Sequence, residues 1–119
     1  MRLPGPDHPI TIERDSARVR VRFGNRIIAD TTQALMLREA NYPGVYYIPR
    51  CDADMSLLER TGHASYCPYK GDASYFTIVA DGRRTNNAVW SYERPFPAVA
   101  AIEGFLAFYP SRVDAIDVG

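Results

Sequence analysis

The segment from Ser65 to Thr77 holds the side chains of this sequence that are best suited to covalent chemistry. It contains the thiol of Cys67 and, three residues later, the amine of Lys70, the only lysine in the chain. A cysteine becomes a nucleophile when a nearby cation lowers its pKa, so Lys70 is the candidate assistant of a catalytic Cys67. The alternative is an inert thiol, and we favour it because free cysteine is among the most buried residue types.

Aromatic and basic residues in this segment and in two others indicate a binding pocket. Aromatic side chains with a few polar groups are typical of small-molecule pockets, and two cations, Arg50 and Lys70, would favour an anionic ligand. The candidate ligand-binding residues are Tyr47, Arg50, Tyr75, Trp90 and Tyr92. We predict that Tyr47, Arg50, Cys67, Lys70 and Trp90 border one concave pocket. The alternative, that Tyr47 and Trp90 only fill the core of a small β domain, stays open.

The sequence does not provide the ligand sets of common metal or phosphate sites. Structural zinc needs four ligands, usually from paired cysteines, whereas the two cysteines and two histidines of this chain have no paired spacing. Asp52 and Asp54 could share one face of a strand and hold Mg²⁺, but we favour Asp54 as the cap of a short turn from Met55 to Glu59. No phosphate-cradling loop is present. We therefore predict no metal and no cofactor.

The elements that must position these residues are β-strands. Strand-forming residues flank the turn at Lys70-Gly71, which predicts a hairpin, and turn chemistry recurs at Gly24-Asn25 and Asp81-Gly82. The segments Thr32–Glu39, Val45–Arg50 and Phe105–Tyr109 are predicted as further strands, with a break at Thr61-Gly62. The resulting prediction is an all-β domain with short helical turns near Met55 and Ala98.

Alternation is clearest from Ala17 to Phe23, where apolar residues on one face alternate with Arg18, Arg20 and Arg22 on the other. Three arginines in a row could bind phosphate. We favour a solvated outer face instead, with the arginines paired to acidic residues such as Asp30 on neighbouring strands.

Composition limits the class of protein. The chain has 119 residues and a formal net charge of zero, so we predict one domain over residues 10–119, preceded by an irregular, mobile arm over residues 1–9, and no nucleic-acid binding. No apolar run is long enough for a signal peptide or a membrane span, and two cysteines without an export signal favour the cytoplasm. The oligomeric state is open, a homo-oligomer included.

Four segments have a distinctive combination of residues: Val45–Arg50, Cys67–Phe76 (CPYKGDASYF), Ala88–Pro95 and Ile102–Tyr109, with Arg112–Asp114 after the last. Together and in this order, they resemble the DUF427 family. The resemblance extends from about Ile10 to Ile116. It implies a compact β-rich domain similar to the β-tent (Mss4-like) folds, and it implies little about activity.

Three functional hypotheses follow. The first is a small β domain with a pocket for a polar or anionic metabolite. The second is a thiol-dependent enzyme that uses Cys67 with the help of Lys70. The third is a non-catalytic protein-interaction module that uses an exposed sheet edge.

Overall fold

Ten β-strands and no α-helix make up the computed structural model, which describes all 119 residues. The strands are β1 (Ile10–Asp15), β2 (Val19–Phe23), β3 (Arg26–Thr31), β4 (Ala34–Glu39), β5 (Val45–Tyr47), β6 (Leu58–Cys67), β7 (Gly71–Ala80), β8 (Arg83–Ser91), β9 (Ala107–Phe108) and β10 (Ala115–Val118). The all-β class that alternation and turn chemistry predicted is therefore confirmed.

The strands form three antiparallel sheets. Their orders are β1-β4-β5, β10-β2-β3 and β6-β7-β8-β9. The last sheet is built on the predicted hairpin: β6 ends at Cys67, β7 begins at Gly71, and the Lys70 N–H donates to the Cys67 carbonyl (3.2 Å). Gly71 has φ +108°, which a residue without a side chain adopts at low cost.

Short 3₁₀ turns join the strands. Two of them, Met55–Leu57 and Pro97–Ile102, lie where helical turns were predicted, and Arg50–Asp52 and Pro110–Arg112 are two more. Asp54 caps the turn Met55–Leu57, since its carboxylate accepts a hydrogen bond from the Ser56 N–H (3.1 Å), which confirms the favoured interpretation of this residue. No helical segment of the structure has the length and hydrophobicity needed to cross a membrane.

Three predicted boundaries were wrong. Thr61-Gly62 is not a break, because β6 runs through it with an irregular register opposite β7. The segment Val45–Arg50 is a strand only to Tyr47, after which Arg50 begins a 3₁₀ turn. The segment Phe105–Tyr109 is a strand only over Ala107–Phe108. In each case the ends of pairing are set by partner strands, which residue preferences do not report.

The apolar face of β2 is buried in the main core, and its arginines lie outside. Val19, Val21 and Phe23 are at most 2% exposed. Arg18 pairs with Asp30 (2.7 Å), and Arg22 pairs with Asp117 (2.6 Å). The favoured interpretation of this ladder as a solvated, ion-paired face is confirmed for Arg18 and Arg22.

A second core cluster lies between β4, β5, β7, β8 and the turn before β9. Its buried members include Leu37, Tyr47, Tyr75, Tyr92 and Ile102. Three of its eight members are tyrosines, so this cluster presents hydroxyl groups within an apolar surrounding. The candidate site lies against it.

The N-terminal arm, residues 1–9, packs against the end of the β6–β7 hairpin. The Arg2 N–H donates to the Pro68 carbonyl (2.7 Å), and the His8 ring stacks on Tyr69 with ring centroids 3.9 Å apart. A backbone bridge between Gly5 and His8 closes the arm into a turn. These contacts place His8 beside the candidate site.

Candidate functional site

A cavity of about 190 Å³ opens on the surface of the second core cluster. Most of its lining is aromatic, and one ion pair lies among the aromatic rings. We call it the aromatic cavity; it is lined by Leu37, Glu39, Tyr42, Pro43, Val45, Tyr47, Lys70, Tyr75, Trp90, Tyr92 and Tyr109. It therefore draws on β4, β5, β7 and β8 and on the turn of the β6–β7 hairpin.

Trp90 and Tyr47 form one wall of the aromatic cavity. The Trp90 Nε1–H donates to the Tyr47 hydroxyl oxygen (3.3 Å), and the two rings meet edge to face, with centroids 6.4 Å apart. Tyr109 lies against the indole at a centroid distance of 4.4 Å. Burial raises the pKa of Tyr47 and of Tyr92. Both phenols therefore stay neutral at physiological pH and can donate a hydrogen bond to a ligand as well as accept one.

Tyr75 and Tyr109 form a second wall, which adjoins the first where Tyr109 contacts the Trp90 indole. The Tyr75 hydroxyl shares a hydrogen bond with the Ser65 hydroxyl (2.8 Å) and lies 3.5 Å from the Tyr109 hydroxyl. Burial and the contact with Tyr75 raise the pKa of Tyr109 to about 12. This wall therefore presents two phenol groups, one of which is hydrogen-bonded to a serine.

Lys70 and Glu39 supply the charged part of the cavity. Lys70 is only 8% exposed, and its Nζ is ion-paired with the Glu39 carboxylate. The second carboxylate oxygen is 2.7 Å from His8 Nε2. Burial alone would raise the pKa of Glu39, but the hydrogen bonds from Lys70 and His8 outweigh it, so that the pKa is lowered. The ammonium is thus neutralised by an ionised carboxylate.

The hairpin turn explains why Lys70 points into the cavity. The Phe96 N–H donates to the Lys70 carbonyl (3.0 Å), which anchors the turn to the segment after β8. A side chain on Gly71 would meet the Arg94 carbonyl oxygen at 3.4 Å, so glycine permits this close approach. The Lys70 Nζ then lies 5.8 Å from the Tyr92 ring centroid, near its face.

Five predicted site residues come together in the aromatic cavity. Tyr47, Lys70, Tyr75, Trp90 and Tyr92 all line it, although they belong to separate elements. Glu39 and Tyr109 also line the cavity, and neither of them was selected from the sequence as a site residue. The available signal for Glu39 was alternation along β4, which puts it on the same face as Leu37.

Arg50 is the clear exception, and the expectation that it borders this cavity is wrong. Its guanidinium donates to the Gly104 carbonyl (3.1 Å) and to the Ser91 hydroxyl (3.1 Å), and it pairs with Glu93 (3.2 Å). Ser91 lies between Trp90 and Tyr92 on β8 and its extension, so its side chain points to the other face. Arg50 therefore belongs to a separate cleft.

Cys67 is near the cavity but does not line it. Its half-buried side chain packs against the second core cluster, while the Lys70 amine faces Glu39. The other cysteine, Cys51, is exposed, with its Sγ 3.9 Å from an oxygen of Asp52. No group of three or more His, Cys, Asp or Glu side chains is arranged to hold a metal ion.

Residues 11–119 match the family model described as a domain of unknown function, DUF427. A search of curated proteins finds no match.

Proposed function

Since this chain belongs to the DUF427 family, whose description names no activity, we propose from the site itself that it is a binding domain for a small polar ligand. The observation that carries the proposal is the aromatic cavity, in which neutral phenols and an indole surround a buried ion pair. Apolar walls with a few placed polar groups are the usual composition of small-molecule sites.

The buried ion pair supports a binding role over a purely structural one. Removing a carboxylate and an ammonium from water is expensive, and apolar residues of similar size often stabilise a core equally well. Here Glu39 and Lys70 stand at the edge of a cavity, with side chains 13% and 10% exposed. A polar ligand would find a fixed donor and a fixed acceptor at this position.

The charge balance of the cavity defines the ligand class. Two cations, Arg50 and Lys70, were expected to attract an anion, but Arg50 lies elsewhere and Lys70 is neutralised by Glu39. The part of the ligand inside the cavity is therefore uncharged, with hydroxyl or amide groups for the phenols and a flat face for Trp90. A volume of about 190 Å³ lies below the roughly 300–1,000 Å³ of drug-sized sites, so the ligand is small.

The geometry gives less support to a thiol-dependent enzyme than to a binding domain. Catalysis by Cys67 needs a cation that lowers the pKa of its thiol. The only lysine has its amine in an ion pair with Glu39, and Cys67 does not line the cavity. Alkylation rates of Cys67 and Cys51 in the wild type and in Lys70→Met test this alternative, which requires fast modification of Cys67 that the substitution slows.

The binding proposal is tested with Trp90, the only tryptophan, as the reporter. A panel of neutral polar fragments (sugars, polyols, amides and heterocyclic bases) is titrated while indole emission is recorded. Because Trp90 also lines an apolar cavity of about 360 Å³, the site is assigned by Tyr92→Phe, which changes the aromatic cavity alone. We expect saturable shifts that Tyr92→Phe weakens.

Tyr66→Phe is the matched control, because Tyr66 is 57% exposed and lies outside the cavity. It should bind the same fragments as the wild type. A panel without any saturable shift, or binding that Tyr92→Phe leaves unchanged, would contradict the proposal.

A further inference from the structure

A second concave site lies on the other side of the Tyr75–Tyr109 wall. We call it the polar cleft; its volume is about 480 Å³. It shares Tyr75 and Tyr109 with the aromatic cavity, and its other lining residues include His63, Asn87, Ser111 and Arg112. None of the residues that line it is an aspartate or a glutamate.

Two irregularities of the β-sheet meet at this cleft. Arg60 pairs with Phe76 and Ala64 with Ser74, so a step of four residues on β6 faces a step of two on β7. Strand β8, the other neighbour of β7, also has a step of four residues opposite a step of two on β7. Bulges of this kind redirect side chains and are frequent beside active sites.

On β8 the extra residues lie between the pairs Thr85–Ile78 and Val89–Phe76. Asn87, within that step, has φ +52°, a left-handed conformation that asparagine tolerates better than most residues other than glycine. Its backbone N–H donates to the Thr77 hydroxyl (3.2 Å), and its Oδ1 accepts from the Thr61 hydroxyl (2.7 Å). These bonds hold Asn87 in place and leave its amide nitrogen as a donor.

Arg112 gives the cleft its positive charge. Its Nη1 donates to the Asn86 carbonyl (3.1 Å), and the guanidinium forms no ion pair. Two other arginines near this end of the molecule are paired, Arg83 with Asp114 (3.5 Å) and Arg84 with Glu59 (3.3 Å). Arg112 thus keeps most of its donors free, in a fork that matches carboxylate and phosphate oxygens.

His63 adds a second nitrogen donor at the edge of the cleft. Its ring packs edge to face on Tyr75, with centroids 4.5 Å apart, and it is exposed without a carboxylate partner. Free donors of a guanidinium, an imidazole, an amide and hydroxyls, with no lining carboxylate, form a surrounding that stabilises an anion.

We propose that the polar cleft binds an oxyanion, the phosphate or carboxylate group of a small ligand, with Arg112 as the main contact and with His63 and Asn87 as further donors. A ligand whose neutral part fills the aromatic cavity would place its anionic group here, beyond Tyr75 and Tyr109. That one ligand spans both sites rests on the proposed function, whereas the proposal of an oxyanion site does not.

The experiment titrates inorganic phosphate, and separately acetate, into the ¹⁵N-labelled protein at constant ionic strength. We expect saturable amide shifts confined to the neighbourhood of residues 63, 87 and 109–112. Arg112→Gln should weaken the binding at least about tenfold, the usual effect of losing a charge-assisted hydrogen bond. The anion that binds more tightly identifies the anionic group of the ligand as a phosphate or a carboxylate.

Arg18→Gln is the matched control, since it removes the same charge from an exposed position just before β2 and should leave binding unchanged. His63→Gln, at an exposed position, provides a second variant if Arg112→Gln is unstable, and it should weaken binding less. Absence of saturation up to about 10 mM of either anion, or equal losses in Arg18→Gln and Arg112→Gln, would overturn the site.

Tyr92→Phe separates this inference from the proposed function. It alters the aromatic cavity alone and should leave phosphate binding intact. If phosphate binds while no neutral fragment shifts Trp90 emission, the oxyanion site stands and the proposed function fails. If neutral fragments bind while phosphate does not, the proposed function stands and the oxyanion site fails.

Discussion

Two ion pairs of this molecule have similar chemistry and very different surroundings. Arg18 and Asp30 stand on the outer face of a sheet, with side chains 50% and 37% exposed. Lys70 and Glu39 stand beside the aromatic cavity, with side chains 10% and 13% exposed. Water screens the first pair, whereas the second has lost most of its hydration and depends on its partner. Pairing alone therefore does not tell which charges matter to the fold or to a ligand.

The sharpest test of this difference is Lys70→Met. It leaves the Glu39 carboxylate partly buried with only His8 as a partner, so we expect a loss of about 3 kcal/mol, at the lower end of the range for a broken buried pair. Urea unfolding followed by Trp90 fluorescence measures it. The double variant Glu39→Leu/Lys70→Met removes both charges and should recover most of that loss. A single variant as stable as the wild type would mean that this pair is screened like the outer one.

The turn that holds Lys70 gives the next effect. Gly71→Ala places a side chain at φ +108° and 3.4 Å from the Arg94 carbonyl oxygen, so we expect a loss of about 1–2 kcal/mol. Gly62→Ala is the control in the same hairpin, because nothing lies within 4 Å of its added methyl group. Thermal unfolding of both variants decides whether the turn enforces the position of the pair. Equal unfolding midpoints for Gly71→Ala and Gly62→Ala would show that it does not.

How far the sequence could predict this structure depends on the range of the interactions. The inward Val19 and the outward Arg18 follow from alternation within one strand, and the hairpin follows from the glycine in its turn. Both are local patterns. The pairing of Lys70 with Glu39 joins residues 31 positions apart and forms only when the sheets are assembled, so no local sequence pattern predicts it.

The errors in the site have equally specific causes. Arg50 was assigned to the cavity by extending a strand past Tyr47, but the 3₁₀ turn after Pro49 directs it to Glu93. The polar cleft was missed because bulges in β6 and β8 shift the register there, so that alternation no longer predicts which side chains share a face. The left-handed backbone conformation of Asn87 is not predicted by any pattern in the sequence.

Acid should weaken the buried pair in a defined direction. Lys70 and His8 lower the pKa of Glu39, so its contribution is present above the unfolded value of 4.5 and is lost as pH falls through the folded pKa. Glu93, whose pKa is lowered to about 2 by Arg60, adds to the same loss between about 4.5 and 2. Unfolding free energy measured from pH 6 to pH 2 should therefore decline. Glu39→Leu/Lys70→Met should show a shallower decline, and an unchanged slope would remove Glu39 from this account.

The smallest effect is expected on the outer face. Arg18→Gln removes a guanidinium whose two hydrogen bonds to Asp30 are 2.8 and 2.7 Å long, yet both partners are in contact with water. Exposed pairs gain little because ordering two long side chains offsets a screened attraction. The urea midpoint should stay within experimental error of the wild type, and raising the salt concentration should abolish any residual difference. A clear loss that persists at about 1 M salt would mean that the arginine ladder contributes through packing of its aliphatic stems rather than through charge.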